Sequence, residues 1–97
     1  MNNLYLIIQD KNSDYDTFDS AVVCAKNKEE AKTIHPNTSY KWHDNSWYFQ
    51  YADKTESRES SSTYDWCKPK YVNVIKIGVA NKNIKSGEVI CSSFNAG

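Results

Sequence analysis

Four short apolar runs, separated by polar residues, constrain the fold of this chain more than any other feature. Residues 4–8 and 20–25 are apolar and partly β-branched, which is typical of buried strands. Residues 71–79 begin with alternating apolar and polar side chains, and residues 88–94 give a last strand. The first two runs predict a hairpin with a long, acidic connection.

One short helix is predicted over about residues 28–34. Asn27 can cap its first turn, and Glu30 three residues later completes a capping-box pattern. Pro36 disfavours a helical conformation at His35, so the helix ends there. A helix of two turns must be held by packing. The predicted fold class is therefore α+β, a mainly antiparallel sheet of four to five strands with the helix packed on one face.

The chain length and the cysteine spacing limit the classes of protein to which this chain can belong. A chain of 97 residues makes one domain, residues 1–97, and the polar run 56–63 is predicted to be a mobile loop. Three cysteines without CxxC spacing argue against a disulfide framework and a zinc ribbon. Residues 4–8 are too short for a signal peptide or a membrane span, so we expect a cytoplasmic protein.

Charge excludes one class of partner. The net charge is zero, so the whole-protein field expected of a nucleic-acid binder is absent and no sequence-specific DNA binding is expected. Residues 1–66 carry 7 Lys and Arg against 11 Asp and Glu, whereas residues 67–97 carry 5 against 1. The net charges of the two parts, −4 and +4, predict either a modest basic face or two halves that attract each other.

Metal and catalytic patterns are weak. Asp and Asn alternate over residues 10–16 as at the start of a calcium loop, but Tyr15 replaces the required Gly and Ala21 the bidentate Glu. We therefore predict a turn, no metal site, no catalytic residue and no cofactor. A small nucleotide hydrolase is the least supported class, with His43, Asp44 or Cys67 as participants.

The aromatic segment is the best candidate for function. Eight of the thirteen aromatic residues lie between Tyr40 and Trp66. In the predicted strand 47–51, alternation places Trp47, Phe49 and Tyr51 on one face and Tyr48 on the other. Exposed rings beside cations can anchor a protein interface or stack on a nucleobase, while the competing hypothesis places most rings in the core. The predicted binding residues are Trp42, Trp47, Tyr48 and Trp66, with Lys68 and Lys70 as charge partners.

Both ends of the chain resemble a family of small, uncharacterised phage and prophage proteins. The similarity is carried by residues 15–25 (YDTFDSAVVCA), by 29–32 (EEAK) with 34–36 (IHP), and by the C-terminal 92–97 (SSFNAG). Residues 42–66 do not share it. The residues Asp16, Asp19, His35 and Ser92 to Asn95 either form a site shared with that family or define its fold.

The resemblance implies a small phage accessory protein, a class that often counters bacterial immunity. We therefore expect a phage-type inhibitor of antiviral immunity in the infected bacterial cell, acting by stoichiometric binding and not as an enzyme. The favoured mechanism sequesters a nucleotide-derived immune signal, as a sponge that is often a homo-oligomer. The alternatives are an anti-CRISPR-like protein that blocks an immune effector by protein contact, and a phage structural or accessory interaction module. No membrane partner is expected.

Overall fold

A computed structural model of the protein describes residues 2–11, 17–58 and 66–95. It confirms the α+β class. The elements are β1 (Asn3–Ile8), β2 (Thr17–Ala25), α1 (Lys28–Lys32), β3 (Tyr40–His43), β4 (Ser46–Gln50), β5 (Glu56–Arg58), a 3₁₀ helix (Pro69–Tyr71), β6 (Asn73–Val79) and β7 (Val89–Asn95). Within these residues no helix has the length and apolar character needed to cross a lipid bilayer.

The main sheet contains the four predicted strands in the order β6-β1-β2-β7, and every neighbouring pair is antiparallel. β1 and β2 form the predicted hairpin, with Leu6 opposite Val22. Alternation gives the sheet an inner face, where Tyr5, Ile7 and Val23 are buried, and an outer face, where Leu6 and Val22 are only half-buried.

The chain also forms a second, three-stranded antiparallel sheet in the order β3-β4-β5. It lies within residues 40–58, where the sequence pattern is less regular than in the four apolar runs. Asp44 and Asn45 join β3 to β4 with φ angles of 53° and 58°, the left-handed geometry of a two-residue hairpin turn that Asp and Asn tolerate. The prediction of a loop over residues 56–63 is wrong for its first three residues, because Glu56–Arg58 forms strand β5 and pairs with β4. Residues 59–63 lie outside the described residues.

The helix begins as predicted and ends earlier. The Glu30 backbone N–H donates to Asn27 Oδ1 at 2.9 Å, and the Glu30 carboxylate accepts from the Lys26 N–H at 3.2 Å and from Ser86 Oγ. The last helical residue is Lys32 rather than 34. Ile34 instead forms a β-bridge with Lys41 of β3, so the residues after Lys32 are drawn toward the second sheet.

Both sheets and the helix share one core. It joins the inner face of the main sheet to Ala31 of α1 and to Trp47 of β4, and Trp66 and Cys67 complete it. His35 is buried among aromatic rings, with its imidazole stacked on Tyr40 at 4.5 Å and edge-on to Trp47 at 5.0 Å. The three-stranded sheet therefore packs through its aromatic face onto the inner side of the main sheet.

We predict that Trp47→Ala lowers the free energy of unfolding by about 3–5 kcal/mol, because it removes one of the two tryptophans that are fully buried in this core. Urea unfolding followed by circular dichroism measures the loss. Tyr51→Ala is the control, since Tyr51 is 49% exposed and its replacement should change stability by only about 0.5 kcal/mol. Equal losses in the two variants would contradict this description of the core.

Candidate functional site

A groove beside the β3–β4 hairpin brings together three of the predicted binding residues. Its volume is about 330 Å³, and its lining residues are Trp42, Asn45, Lys68, Pro69 and Lys70. This volume lies at the lower end of the range of about 300–1,000 Å³ for small-molecule pockets. The groove therefore combines one indole ring, one carboxamide and two cations in a space suited to a small ligand.

Trp42 is held in place by the core beneath it. It lies directly opposite Trp47 in the β3–β4 register, and the two indoles meet edge to face with centroids 5.1 Å apart and an interplanar angle of 69°. Trp47 is fully buried, whereas Trp42 is half-buried. A buried ring thus fixes a partly exposed ring, which reduces the entropy that a ligand would lose in ordering it.

A hydrogen bond from the same buried ring positions the two lysines. Trp47 Nε1 donates to the Cys67 carbonyl oxygen at 3.1 Å, and this ties the segment before Lys68 to the hairpin. The 3₁₀ helix then starts at Pro69, whose fixed φ suits the first position of a helix. Lys68 and Lys70 flank Pro69, and both are exposed.

Sequence reasoning missed three residues of this region. Asn45 lines the groove from the hairpin turn, and the Asp44-Asn45 pair between two aromatic strands was the signal for that turn. Tyr71 lies under two cations, with Lys70 Nζ at 5.0 Å and Lys11 Nζ at 5.1 Å from its ring centroid. Lys11 joins this basic region through the fold alone, because 59 positions separate it from Lys70.

Trp47 and Trp66 are not available to a ligand, so their prediction as exposed binding residues is wrong. Both side chains are 0% exposed and belong to the core cluster. The physical reason is the large apolar surface of each indole ring, because burying that surface stabilises a small domain more than burying a smaller side chain does. His35, one of the family-like residues, is also a core residue, and it contacts Phe18, which in turn packs on Phe94.

Tyr48 lies on the opposite face of the three-stranded sheet from Trp42, so the structure does not bring it to the groove. The predicted alternation of this strand explains the separation. Its ring stacks on His43 with centroids 3.9 Å apart, and its hydroxyl donates to Asp44 Oδ2 at 3.3 Å. His43 Nε2 also contacts Glu56 Oε1 at 3.0 Å, which makes this a self-paired polar surface.

The candidate participants in hydrolysis are not assembled into a catalytic group. Cys67 is buried on the core side of the three-stranded sheet, whereas His43 is exposed on its other face. Burial raises the pKa of the Cys67 thiol to about 11, so it is not a thiolate at neutral pH. Within the described residues no group of three or more His, Cys, Asp or Glu side chains could hold a metal ion. Residues 12–16 of the calcium-like segment lie outside that part of the chain.

Comparison with known proteins gives no match to a family model, to a curated protein or to a solved structure. The chemistry of the groove therefore rests on its own side chains.

We predict that only Cys91 reacts rapidly with a maleimide in dilute native protein at pH 8. Cys91 is exposed, while Cys24 and Cys67 are buried and burial raises the pKa of both thiols. With a pKa of about 11, about one Cys67 in a thousand is a thiolate at pH 8. Mass spectrometry of labelled peptides measures each rate. Cys91→Ser should remove the fast phase, and rapid labelling of Cys67 would contradict the structure.

Proposed function

We propose that the protein binds a small anionic ligand containing a nucleobase in the groove of Trp42, Lys68 and Lys70. The observation that carries this proposal is that one half-buried tryptophan and two exposed lysines line a single cavity. A base can stack on the indole, which is worth about 1–3 kcal/mol per base. The lysines supply the positive charge that phosphate oxygens require.

The size of the groove favours a single base with its phosphate. A volume of about 330 Å³ leaves little room for a large ligand to be enclosed, so a dinucleotide or cyclic oligonucleotide would place one nucleotide unit there and leave the rest outside. Asn45 adds a side-chain amide that can donate to or accept from a base edge. Stacking provides affinity for any base, and this amide is the group best placed to select among bases.

The biological role follows from the resemblance of the two chain ends to small phage proteins. A cytoplasmic protein of this kind would sequester a nucleotide-derived immune signal without turnover and so protect an infecting phage. Two features of the groove support binding without catalysis, since its polar side chains are lysines and an asparagine and Cys67 lies buried behind it. Lysines and an amide can hold an anion, and the residues that line the groove include no acidic or histidine base that could activate a nucleophile.

The test is a thermal-shift screen against cyclic dinucleotides, cyclic oligonucleotides and ADP-ribose derivatives. A ligand at about 100 times its dissociation constant adds about 2.7 kcal/mol to stability and raises the melting temperature. We expect a shift with at least one of these nucleotides, and the ligand recovered afterwards should be intact. No shift across the panel would contradict the proposal, and recovery of a cleaved ligand would show that the protein is an enzyme.

Variants then assign the ligand to the groove. Calorimetric titration of Trp42→Ala should show an affinity about 10- to 100-fold lower, since a stacking contact is lost. The double variant Lys68→Ala/Lys70→Ala should bind more weakly and with less dependence on salt. Its matched control is Lys76→Ala/Lys82→Ala, which removes the same charge from two exposed lysines outside the groove and should bind normally. Equal effects of the two double variants would place the ligand elsewhere.

The alternative is an anti-CRISPR-like blocker of an immune effector, or a phage accessory module. Both would use the half-buried ring of Trp42 as an interface anchor, because Trp and Tyr are enriched at hot spots. They differ from sequestration in one measurable respect. A blocker forms a stable complex with a protein when no nucleotide is present, and pull-down from infected cells detects it.

A further inference from the structure

A pair of cations flanks the ring of Tyr71, next to the groove. Lys70 Nζ lies 5.0 Å and Lys11 Nζ 5.1 Å from the centroid of this ring. Lys70 also lines the groove, so the groove and the cation pair share one lysine. Both lysines are exposed and Tyr71 is 41% exposed, so an anion from solvent can reach the two ammonium groups.

Hydrogen bonds fix the backbone on both sides of this pair. The Lys11 N–H donates to Gln9 Oε1 at 2.8 Å, and the buried Gln9 side chain donates through Nε2 to the Phe18 carbonyl oxygen at 2.7 Å. In the 3₁₀ helix, the Tyr71 N–H donates to the Lys68 carbonyl oxygen at 2.9 Å. The fold therefore brings together cations from two distant parts of the chain.

No carboxylate in the described part of the chain forms an ion pair with Lys11, Lys68 or Lys70. Asp10 precedes Lys11 and is exposed, but it forms no ion pair with these lysines. The face of Tyr71 attracts an ammonium group through its quadrupole and carries no net charge. The ammonium groups around it repel one another, and an anion placed between them would be attracted to both.

We propose that Lys11 and Lys70 form a second anion subsite beside Tyr71, so that the groove and this subsite together bind two consecutive phosphates of one ligand. The inference rests on the proposed stacking of a base on Trp42 and names the ligand class, a nucleotide that contains a pyrophosphate, such as a nucleoside diphosphate or ADP-ribose. Because Lys70 belongs to both the groove and the subsite, consecutive phosphates fit better than phosphates that a sugar separates. Ammonium groups form strong, charge-assisted hydrogen bonds with phosphate oxygens.

An NMR titration of isotope-labelled protein with inorganic pyrophosphate tests the subsite without a base. Pyrophosphate should shift the backbone amide signals of Lys11 and Tyr71 saturably. Lys11→Ala should lower the affinity for pyrophosphate about ten-fold, since one charged contact is lost. The matched control is Lys82→Ala, which removes the same charge from an exposed lysine beyond the other end of β6 and should bind like the wild type. Absence of shifts at Lys11 and Tyr71, or equal losses in the two variants, would overturn the subsite.

Calorimetric titration with AMP and ADP separates this inference from the proposed function. ADP should bind the wild-type protein about ten-fold more tightly than AMP, and Lys11→Ala should remove most of that difference. Trp42→Ala should weaken both nucleotides equally, because both stack the same base. Equal affinities of the wild type for AMP and ADP would overturn the second subsite and leave base binding intact. Pyrophosphate binding at Lys11 and Tyr71 without binding of either nucleotide would support the subsite and count against the nucleobase.

Discussion

The rest of the structure depends on the burial of Trp47. Its ring joins the three-stranded sheet to the inner face of the main sheet, and its only polar atom is satisfied by the Cys67 carbonyl oxygen. A buried indole N–H without an acceptor would lower the free energy of unfolding by about 1–3 kcal/mol. Burial of Trp47 therefore depends on this hydrogen bond. The buried imidazole of His35 fills the adjacent space and lies edge-on to the Trp47 ring. Two small sheets and a five-residue helix are thereby held around one core.

The same residue builds the candidate site. Trp47 supports Trp42 edge to face from below, and its hydrogen bond to Cys67 brings Lys68 to the hairpin. The groove is therefore an extension of the core, since buried contacts fix its ring and the backbone next to its first lysine. Such preorganisation favours binding, because less conformational entropy is lost when a ligand arrives.

Local patterns predicted the strands of the main sheet and the capped start of α1, since apolar runs and an Asn cap act over a few residues. The second sheet was only partly predictable. Residues 47–51 were recognised as strand-prone, but β5 is a polar segment that becomes a strand only by pairing with β4. Trp42, Lys68 and Lys70 were predicted together, and they line one groove. Of the other predicted rings, Trp47 and Trp66 are core residues and Tyr48 lies on the opposite face of the sheet. Alternation separates Tyr48 from Trp42, but only the three-dimensional core shows that Trp47 is inaccessible while Trp42 is half-buried.

The most direct test of the account is an indole fluorescence titration with cyclic dinucleotides and ADP-ribose. A base stacked on Trp42 should quench emission saturably, and the quenching should weaken as salt screens the lysines. Trp42→Phe should remove this signal, because Trp47 and Trp66 are buried. Saturable quenching that disappears in Trp42→Phe is the result the account predicts. Quenching by none of these nucleotides, or equal quenching in the variant, would contradict the proposal that the groove holds a nucleobase.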